Sequence, residues 1–442
     1  MKKLKLCGVA VLLLVCSLTT KGYCQASQEA ISMTLEECLE YAKQNSITLQ
    51  KAKLEIDNSD ASIVSAKGNF LPSISGSVSQ SLSSNPLSND SNKSSYGGSY
   101  GLDLSMTLYN GGKNRYQLQQ SLLGSEVSNL ELAEFENSLE VAVTEVYVEI
   151  LYAIEQIEVA KTNVEMNLKN EERGKAFFEA GSINEVDYAQ LQSATATSRY
   201  SLVVSKTQLS NLYVVLKQLL EISNSSTIAV VEPAQYSELT DTTIPSVSEV
   251  YDEALESRPE IQSSKLNVQT AELSTKIAQS GYLPTLSLSA GTGVSHNSSS
   301  SYTFSGQLRE NFSTSVGLNL SVPIFSRFSN RTAVRIAKNN AVSAELSLTE
   351  AEKDLYQTIE TLHNNATTSY AKYVMSEYLL AATQKSMDLT TQQYELGMKN
   401  IIELLTEQDN YNQTYQDFLT NKYQLILNKA LLNYYKTNII KL

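Results

Sequence analysis

The stretch LEVAVTEVYVEILYAIEQIEVAKTNV, residues 139–164, decides how the chain is read. Leu139, Val143, Val146, Ile150, Ala153, Ile157, Ala160 and Val164 recur at alternating steps of four and three, the period of a helical seam. No proline interrupts residues 113–179, so one helix is expected to run through all of them. At ~1.5 Å per residue that helix is about 100 Å long, several times the width of an ordinary globular domain. The same steps return at Leu355, Ile359, Leu362, Ala366, Ser369, Tyr373, Ser376 and Leu380, in a second proline-free run over 329–396. The chain therefore reads as a duplicated unit whose helices are too long for a compact enzyme core.

Each long helix is preceded by segments of period two. Ile74, Val78 and Leu82 alternate with serines, and Tyr100, Leu102, Leu104, Met106 and Leu108 alternate with Ser, Gly, Asp103 and Thr. In the second half Leu286, Leu288 and Ala290, then Val316, Leu318, Leu320 and Val322, alternate with Ser, Thr, Gly and Asn319. These are strands with one apolar and one small polar face. The strand pairs fall within 70–112 and 283–326, and the first holds three charged residues, Asp90, Lys93 and Asp103. Such depletion fits a surface that does not face water. Phe70, Tyr109, Tyr282 and Phe325 lie at the helix-proximal strand ends, and Tyr96, Tyr100, Tyr302 and Phe304 lie towards the loops, as two interfacial belts would.

Four such strands cannot stand alone in hydrocarbon, because unpaired edge groups there cost several kcal/mol each. A four-stranded barrel is too narrow to close well, so several copies are expected to contribute four strands each. Asp103 and Asn319 are then expected to face a water-filled lumen. The helical seams mix Ala, Val and Ser with Leu and Ile, and the remaining helix faces are polar, as in a cylinder wall wet on both sides.

The ends and joints of the repeats follow from local signals. Thr34 with Glu36 and Glu37 marks a helix start, and the helix is expected to run from Thr34 to Asn69. Gly181 and Gly397 stop the long helices, and return helices are expected from about Asn184 to Glu221 and from about Asn400 to Ile440. Residues 27–230 form the first repeat, 231–246 an equatorial linker and 247–442 the second repeat. Lys2, Lys3 and Lys5 followed by a mostly apolar run read as an export signal over 1–26. Lys21, Gly22 and Tyr23 do not make a lipidation box for Cys24.

Charge and chemistry narrow the function classes. The net charge is −13, and about −17 without residues 1–26, which argues against a nucleic-acid partner. Cys38 alone lies beyond the signal, so no internal disulfide is expected, and it sits in an amphipathic pattern as a packed residue. His296 and His363 lie far apart in the pattern, without metal-ligand neighbours, and no phosphate loop or nucleophile elbow is present. No catalytic, cofactor or metal site is expected.

The residues resemble the TolC-like family of outer-membrane efflux channels over nearly the whole chain beyond the signal. The resemblance rests on the duplicated order of helix, strand pair and long helix. It rests also on Phe70-Leu71-Pro72 and Tyr282-Leu283-Pro284 before the first strand of each half, and on Leu108-Tyr109-Asn110-Gly111-Gly112. The tip segments Gly181-Ser182-Ile183-Asn184-Glu185-Val186-Asp187 and Gly397-Met398-Lys399-Asn400-Ile401-Ile402-Glu403 complete it. Phe325-Ser326-Arg327 departs from the Tyr-Asn-Gly-Gly pattern in the second half.

The resemblance implies an α+β membrane protein: a homotrimer with a 12-stranded outer-membrane β-barrel continued by a periplasmic α-helical barrel. It implies a passive exit channel in efflux or type I secretion, with a periplasmic adaptor and an inner-membrane pump as partners. It places a periplasmic gate at Asp187, Tyr394, Lys399 and Glu403, with Lys399 or Tyr394 contacting Asp187, and adaptor docking at Gly181, Ser182, Gly397 and Met398. Thr406 stands where a second acidic ring is found in the family, so a single carboxylate ring at Glu403 is expected. The rival reading is a periplasmic structural or adaptor coiled coil, which the charge-poor strand pairs do not fit.

Overall fold

The computed structural model describes residues 31–84, 94–223, 227–233, 236 and 243–442. The export signal expected over 1–26, most of the loop between the first two strands and much of the linker 231–246 lie outside the described residues.

The chain opens with a short strand, β1 (Ile31–Met33), followed by α1 (Leu35–Asn45) and α2 (Ile47–Gly68). Two helices thus replace the one expected for Thr34–Asn69. Thr34 and Glu37 close a capping box, Thr34 N donating to Glu37 Oε2 at 2.8 Å and Glu37 N to Thr34 Oγ1 at 3.3 Å. The joint is Ser46, whose backbone leaves the helical region (ψ 123°) while its hydroxyl accepts from Leu49 N. A serine hydroxyl offers the backbone an alternative to the next helical bond, and here it caps α2.

β2 (Ser73–Ser84) and β3 (Ser94–Asn110) lead into α3 (Lys113–Glu179) and the return helix α4 (Glu185–Leu219). A short strand, β4 (Ile228–Val230), pairs in parallel with β1. The second half repeats the plan as α5 (Val247–Ser257), α6 (Pro259–Ser280), β5 (Thr285–Asn297), α7 (Phe304–Glu310), β6 (Ser313–Ser321), α8 (Ser329–Glu395) and α9 (Ile401–Thr437). Both long helices have 67 residues, as the uninterrupted pattern requires.

The sheet is antiparallel in the order β2-β3-β5-β6. Its register puts Ile74, Leu104, Ala290 and Val316 in one cross-strand row, and Met106, Leu288 and Leu318 in another. The opposite face carries Ser75, Asp103, Gly291 and Ser315, then Ser287 and Asn319. The apolar face is bare: Val78 is 72% exposed and Val316 74%. A register shift between Thr107 and Tyr109 leaves Leu108 without a partner and sets Tyr109 opposite Leu286, so the alternation expected through Leu108 ends one pleat early. The helix α7, not expected from the sequence, folds back on β5. Asn297 N donates to Gln307 Oε1 at 2.7 Å, and Phe304 meets His296 edge-on at 5.0 Å.

Next to the sheet the helices lie side by side in the order α2, α3, α6, α8; at the far end the order is α4, α3, α9, α8. The molecule is thus a three-storey strip, with α8 along one edge and α2 above α4 along the other. Where the storeys meet, β1 and β4 pack with α1, α3, α4 and α9 around Tyr147, Ile150, Leu216 and Ile426. Tyr147 donates to Val231 O at 2.7 Å. Cys38 is fully buried in this cluster, and burial pushes its thiol up to about 12, as befits a packed residue. Among the described residues no helix is long and apolar enough to cross a membrane.

Strand passes to helix through Gly111 (φ 68°) and Gly112 (φ 83°); the second half makes the same left-handed turn with Arg327 and Phe328. A Cβ on Gly111 would lie 2.8 Å from Leu283 Cβ and 2.9 Å from Ser280 O. Gly111→Ala is therefore expected to lower stability by about 1–2 kcal/mol from backbone strain alone. The thermal midpoint of the purified protein in detergent reads this, and an unchanged midpoint would contradict it.

Candidate functional site

The far end of the strip is built from two turns of one design. α3 ends with Gly181 N donating to Phe178 O at 2.9 Å and Ser182 N to Phe177 O at 2.8 Å; α8 ends with Gly397 N on Tyr394 O and Met398 N on Gln393 O. Both are Schellman turns, with Gly181 at φ 74° and Gly397 at φ 71°. Asn184 and Asn400 then cap the return helices, accepting from Asp187 N at 2.8 Å and from Glu403 N at 2.9 Å. The expected tip residues Gly181, Ser182, Gly397 and Met398 thus sit in matching turns, and the Met398 side chain is exposed.

The two acidic residues differ by one methylene, and their chemistry diverges from it. The Glu403 side chain reaches back to its cap, Asn400 N donating to Oε2 at 3.0 Å, while Lys399 Nζ donates to Oε1 at 2.6 Å. Asp187, in the matching position, makes no such return bond. The Lys399 ammonium first, then the Asn400 N–H, hold the Glu403 carboxyl below its ordinary value. The Glu403 contribution to the cap is therefore present above the ordinary carboxylate range and is lost as pH falls through the depressed value. Lys399 pairs with Glu403, and among the described residues of one protomer no ion pair joins it to Asp187, whereas Tyr394, the alternative partner, lies within reach of the Asp187 charge.

Asp187, Tyr394 and Lys399 nevertheless line one cleft of about 480 Å³, with Phe177, Ser182 and Asn400. Tyr394 is 5% exposed, its ring edge-on to Phe177, and its hydroxyl has no hydrogen-bond partner among the described residues. Burial raises the phenol above its ordinary range; nearby Arg173 opposes this and Asp187 adds to it. Arg173 is bound to Glu395 at 2.8 Å.

Above the cleft lies a polar layer that the apolar seam did not disclose. Gln408 Nε2 donates to Asn167 Oδ1 at 2.8 Å and Asn163 Oδ1 at 3.0 Å, and Gln408 Oε1 accepts from Asn170 Nδ2 at 3.3 Å. Asn167 and Gln408 are buried, and the layer joins α3 to α9, that is, one repeat to the other. The signal was present in the sequence as Asn163, Asn167 and Asn170 at steps of four and three, with Asn167 on the seam that residues 139–164 define and the other two one residue beside it. On the sheet, Asp103 lies beside Gly101 and Gly291 on the polar face; a Cβ at Gly291 would meet its Oδ1 at 3.0 Å.

Comparison with known proteins agrees with the fold. The family model described as outer membrane efflux protein matches residues 38–220 and 250–433. Outer membrane protein TolC of Vibrio cholerae is 21% identical over 374 residues, 84% of this chain and 83% of the relative. The TolC of Escherichia coli is 27% identical over 172 residues, 38% of this chain and 35% of the relative, so that match spans about a third of the relative's length. The crystal structure of CusC superposes with a TM-score of 0.78 at 17% identity, covering 90% of this chain and 91% of that one.

Removing Gln408 leaves Asn167 Oδ1 and Asn170 Nδ2 without their partner, while Asn163 Oδ1 keeps its bond from Asn167 Nδ2. Gln408→Ala is expected to lower stability by about 1–3 kcal/mol, whereas Tyr394→Phe, which deletes an unpartnered hydroxyl, changes it by less than about 1 kcal/mol. Thermal melts of the two variants side by side check both statements, and the reverse order would refute the assignment.

Proposed function

The chain belongs to the outer membrane efflux protein family, and from that premise we propose that it is the outer-membrane exit duct of a tripartite efflux or type I secretion system. It is an outer-membrane protein of a channel family, not an enzyme. In this reading three copies form the duct, and substrates pass down it unmodified after delivery by an inner-membrane pump through a periplasmic adaptor.

The observation that carries the reading is the open sheet. β2 and β6 each have one paired neighbour, and the face bearing Ile74, Val78, Leu318 and Leu320 is exposed. In hydrocarbon the apolar face is satisfied, but the two strand edges are not until another chain pairs with them. Since β2 and β6 are different surfaces, the contact is head-to-tail and must close as a ring. Three copies give twelve strands, wide enough for a lumen lined by the Ser and Gly face with Asp103 and Asn319. An adaptor coiled coil, the rival reading, has no use for such a sheet.

At the tip the proposal assigns gating to the Asp187, Tyr394, Lys399 and Glu403 group, and adaptor docking to the turns at Gly181, Ser182, Gly397 and Met398. Within one protomer Lys399 offsets Glu403, and Asp187 is the carboxylate left without a bond from its cap. The gate charge is then set by Asp187, with Glu403 held in reserve by its lysine.

Cell fractionation and light scattering in detergent test the first claim: the protein is expected in the outer-membrane fraction with the mass of three chains. A single-chain mass, or recovery without detergent, would end it. In planar bilayers Lys399→Ala is expected to release the Glu403 charge and raise cation preference, read as a shifted reversal potential across a salt gradient. An unchanged reversal potential would remove Glu403 from the lumen.

A further inference from the structure

We infer that the periplasmic wall closes between copies through an ion-paired seam, in which Asp57 and Asp60 on α2 of one copy receive Arg335 and Lys338 on α8 of the next. The inference rests on the ring assembly proposed above and adds to it the residues that select one edge for the other.

The register comes from the repeat itself. α2 and α3 of the first half correspond to α6 and α8 of the second, so the α3–α6 contact inside a protomer is the template for the α8–α2 contact between copies. Two links show that the paired helices end and begin at one level: Asn114 Nδ2 donates to Asn69 O at 2.8 Å, and Asn330 Nδ2 donates to Gly281 O. On the template seam Gln120 Nε2 donates to Ser274 Oγ at 2.9 Å. The positions corresponding to Gln120 and Ser274 are Ile336 and Ser62. The helices run antiparallel, so two residues back along α2 from Ser62 and two residues on along α8 from Ile336 bring Asp60 level with Lys338, both at the exposed margin of the seam, as their counterparts Glu272 and Leu122 are in the template. Arg335 and Asp57 each lie within one turn of that level, inside the reach of the long basic side chains.

The chemistry at that level is complementary. From Arg327 to Ala344 the only charges are Arg327, Arg331, Arg335 and Lys338, and the last three fall on one stripe of α8 at steps of four and three. From Leu54 to Ala66 the only charges are Glu55, Asp57 and Asp60. Asp57, Asp60, Arg335 and Lys338 are all exposed, and none forms an ion pair with another described residue of its own protomer. One Asp60 oxygen accepts from Ser125 Oγ at 2.9 Å, leaving the other free.

Apolar groups flank the charges in the same register. Leu54, 61% exposed, falls between Val342 and Leu346, and Val64, 69% exposed, falls beside Ile336. These side chains have no cover within one protomer and gain it from a second copy at the level the template sets.

The internal seam lacks this chemistry. Where the margin of the seam between copies carries Arg335, Lys338, Asp57 and Asp60, the margin of the template seam carries Gln119, Leu122, Gln269 and Glu272, the last three exposed. One charge stands in place of four. Two seams of nearly the same shape are thereby distinguished by charge, so that the α8 edge prefers an α2 edge over the α6 surface it also resembles.

Two experiments on the full chain purified from outer membranes in detergent test this. With Cys38→Ser as background, the pair Ser62→Cys and Ile336→Cys, whose counterparts Ser274 and Gln120 are hydrogen-bonded across the template seam, is expected to give an oxidant-dependent ladder of two and three linked chains, which neither single substitution gives. Arg335→Glu with Lys338→Glu is expected to cut the assembled fraction at least tenfold, and adding Asp57→Lys with Asp60→Lys restores it. A single-chain mass for the unmodified protein would overturn the ring itself. A normal assembled mass with no ladder, or with assembly indifferent to the reversals, would overturn the ionic seam and leave the ring standing.

Discussion

A strand edge cannot be left open in hydrocarbon, and this constraint organises the molecule. β2 and β6 end the sheet with backbone donors and acceptors that no other described strand of the same protomer pairs. The strip of helices below inherits the same two edges, because each strand continues into or out of a helix on its own side. One open ladder therefore dictates the behaviour of a wall about twice as long as the strands of the sheet. Burial within a protomer is accordingly sparse along the edges and concentrated at the equatorial cluster around Tyr147 and Ile150 and in smaller clusters on the helix pairs.

Features with a long period were legible in the sequence and features decided by one hydrogen bond were not. The 67-residue helices followed from the apolar steps, and the two faces of the sheet followed from alternation, because a single slip would have moved every side chain to the wrong side. The break at Ser46 depends on one hydroxyl finding Leu49 N instead of continuing the helix, and a serine within a periodic stretch does not announce that choice. The bulge at Leu108 likewise adds one residue where Leu108 and Tyr109 are both apolar, so the alternation in the sequence runs past the point at which the register breaks. The α7 helix is held by Gln307, whose amide serves the strand end through contacts that no local spacing encodes.

At the tip the residues were legible and their partners were not. Gly181 and Gly397 announced the turns, and the acids three residues past each asparagine cap were visible. Which carboxylate stays free is a matter of reach: a glutamate in the third helical position can return to its cap, whereas an aspartate there does not. Lys399 then completes Glu403, and the cleft beside Tyr394 keeps Asp187 as its acid.

The polar layer at Gln408 shows what the wall gives up for accuracy. An apolar residue there would continue the seam with no desolvation cost, yet a purely apolar seam of period 3.5 can slide by a heptad with little penalty. Gln408 against Asn163, Asn167 and Asn170 allows one register, since a shift in either direction would leave buried amides unpaired. The layer lies between α3 and α9, where the two repeats meet near the tip and where the strand registers of the distant sheet cannot enforce alignment. Register in this chain is thus fixed at both ends by hydrogen bonds, ladder bonds in the sheet and amide bonds near the tip, and the long apolar seams between them supply cohesion without having to specify position.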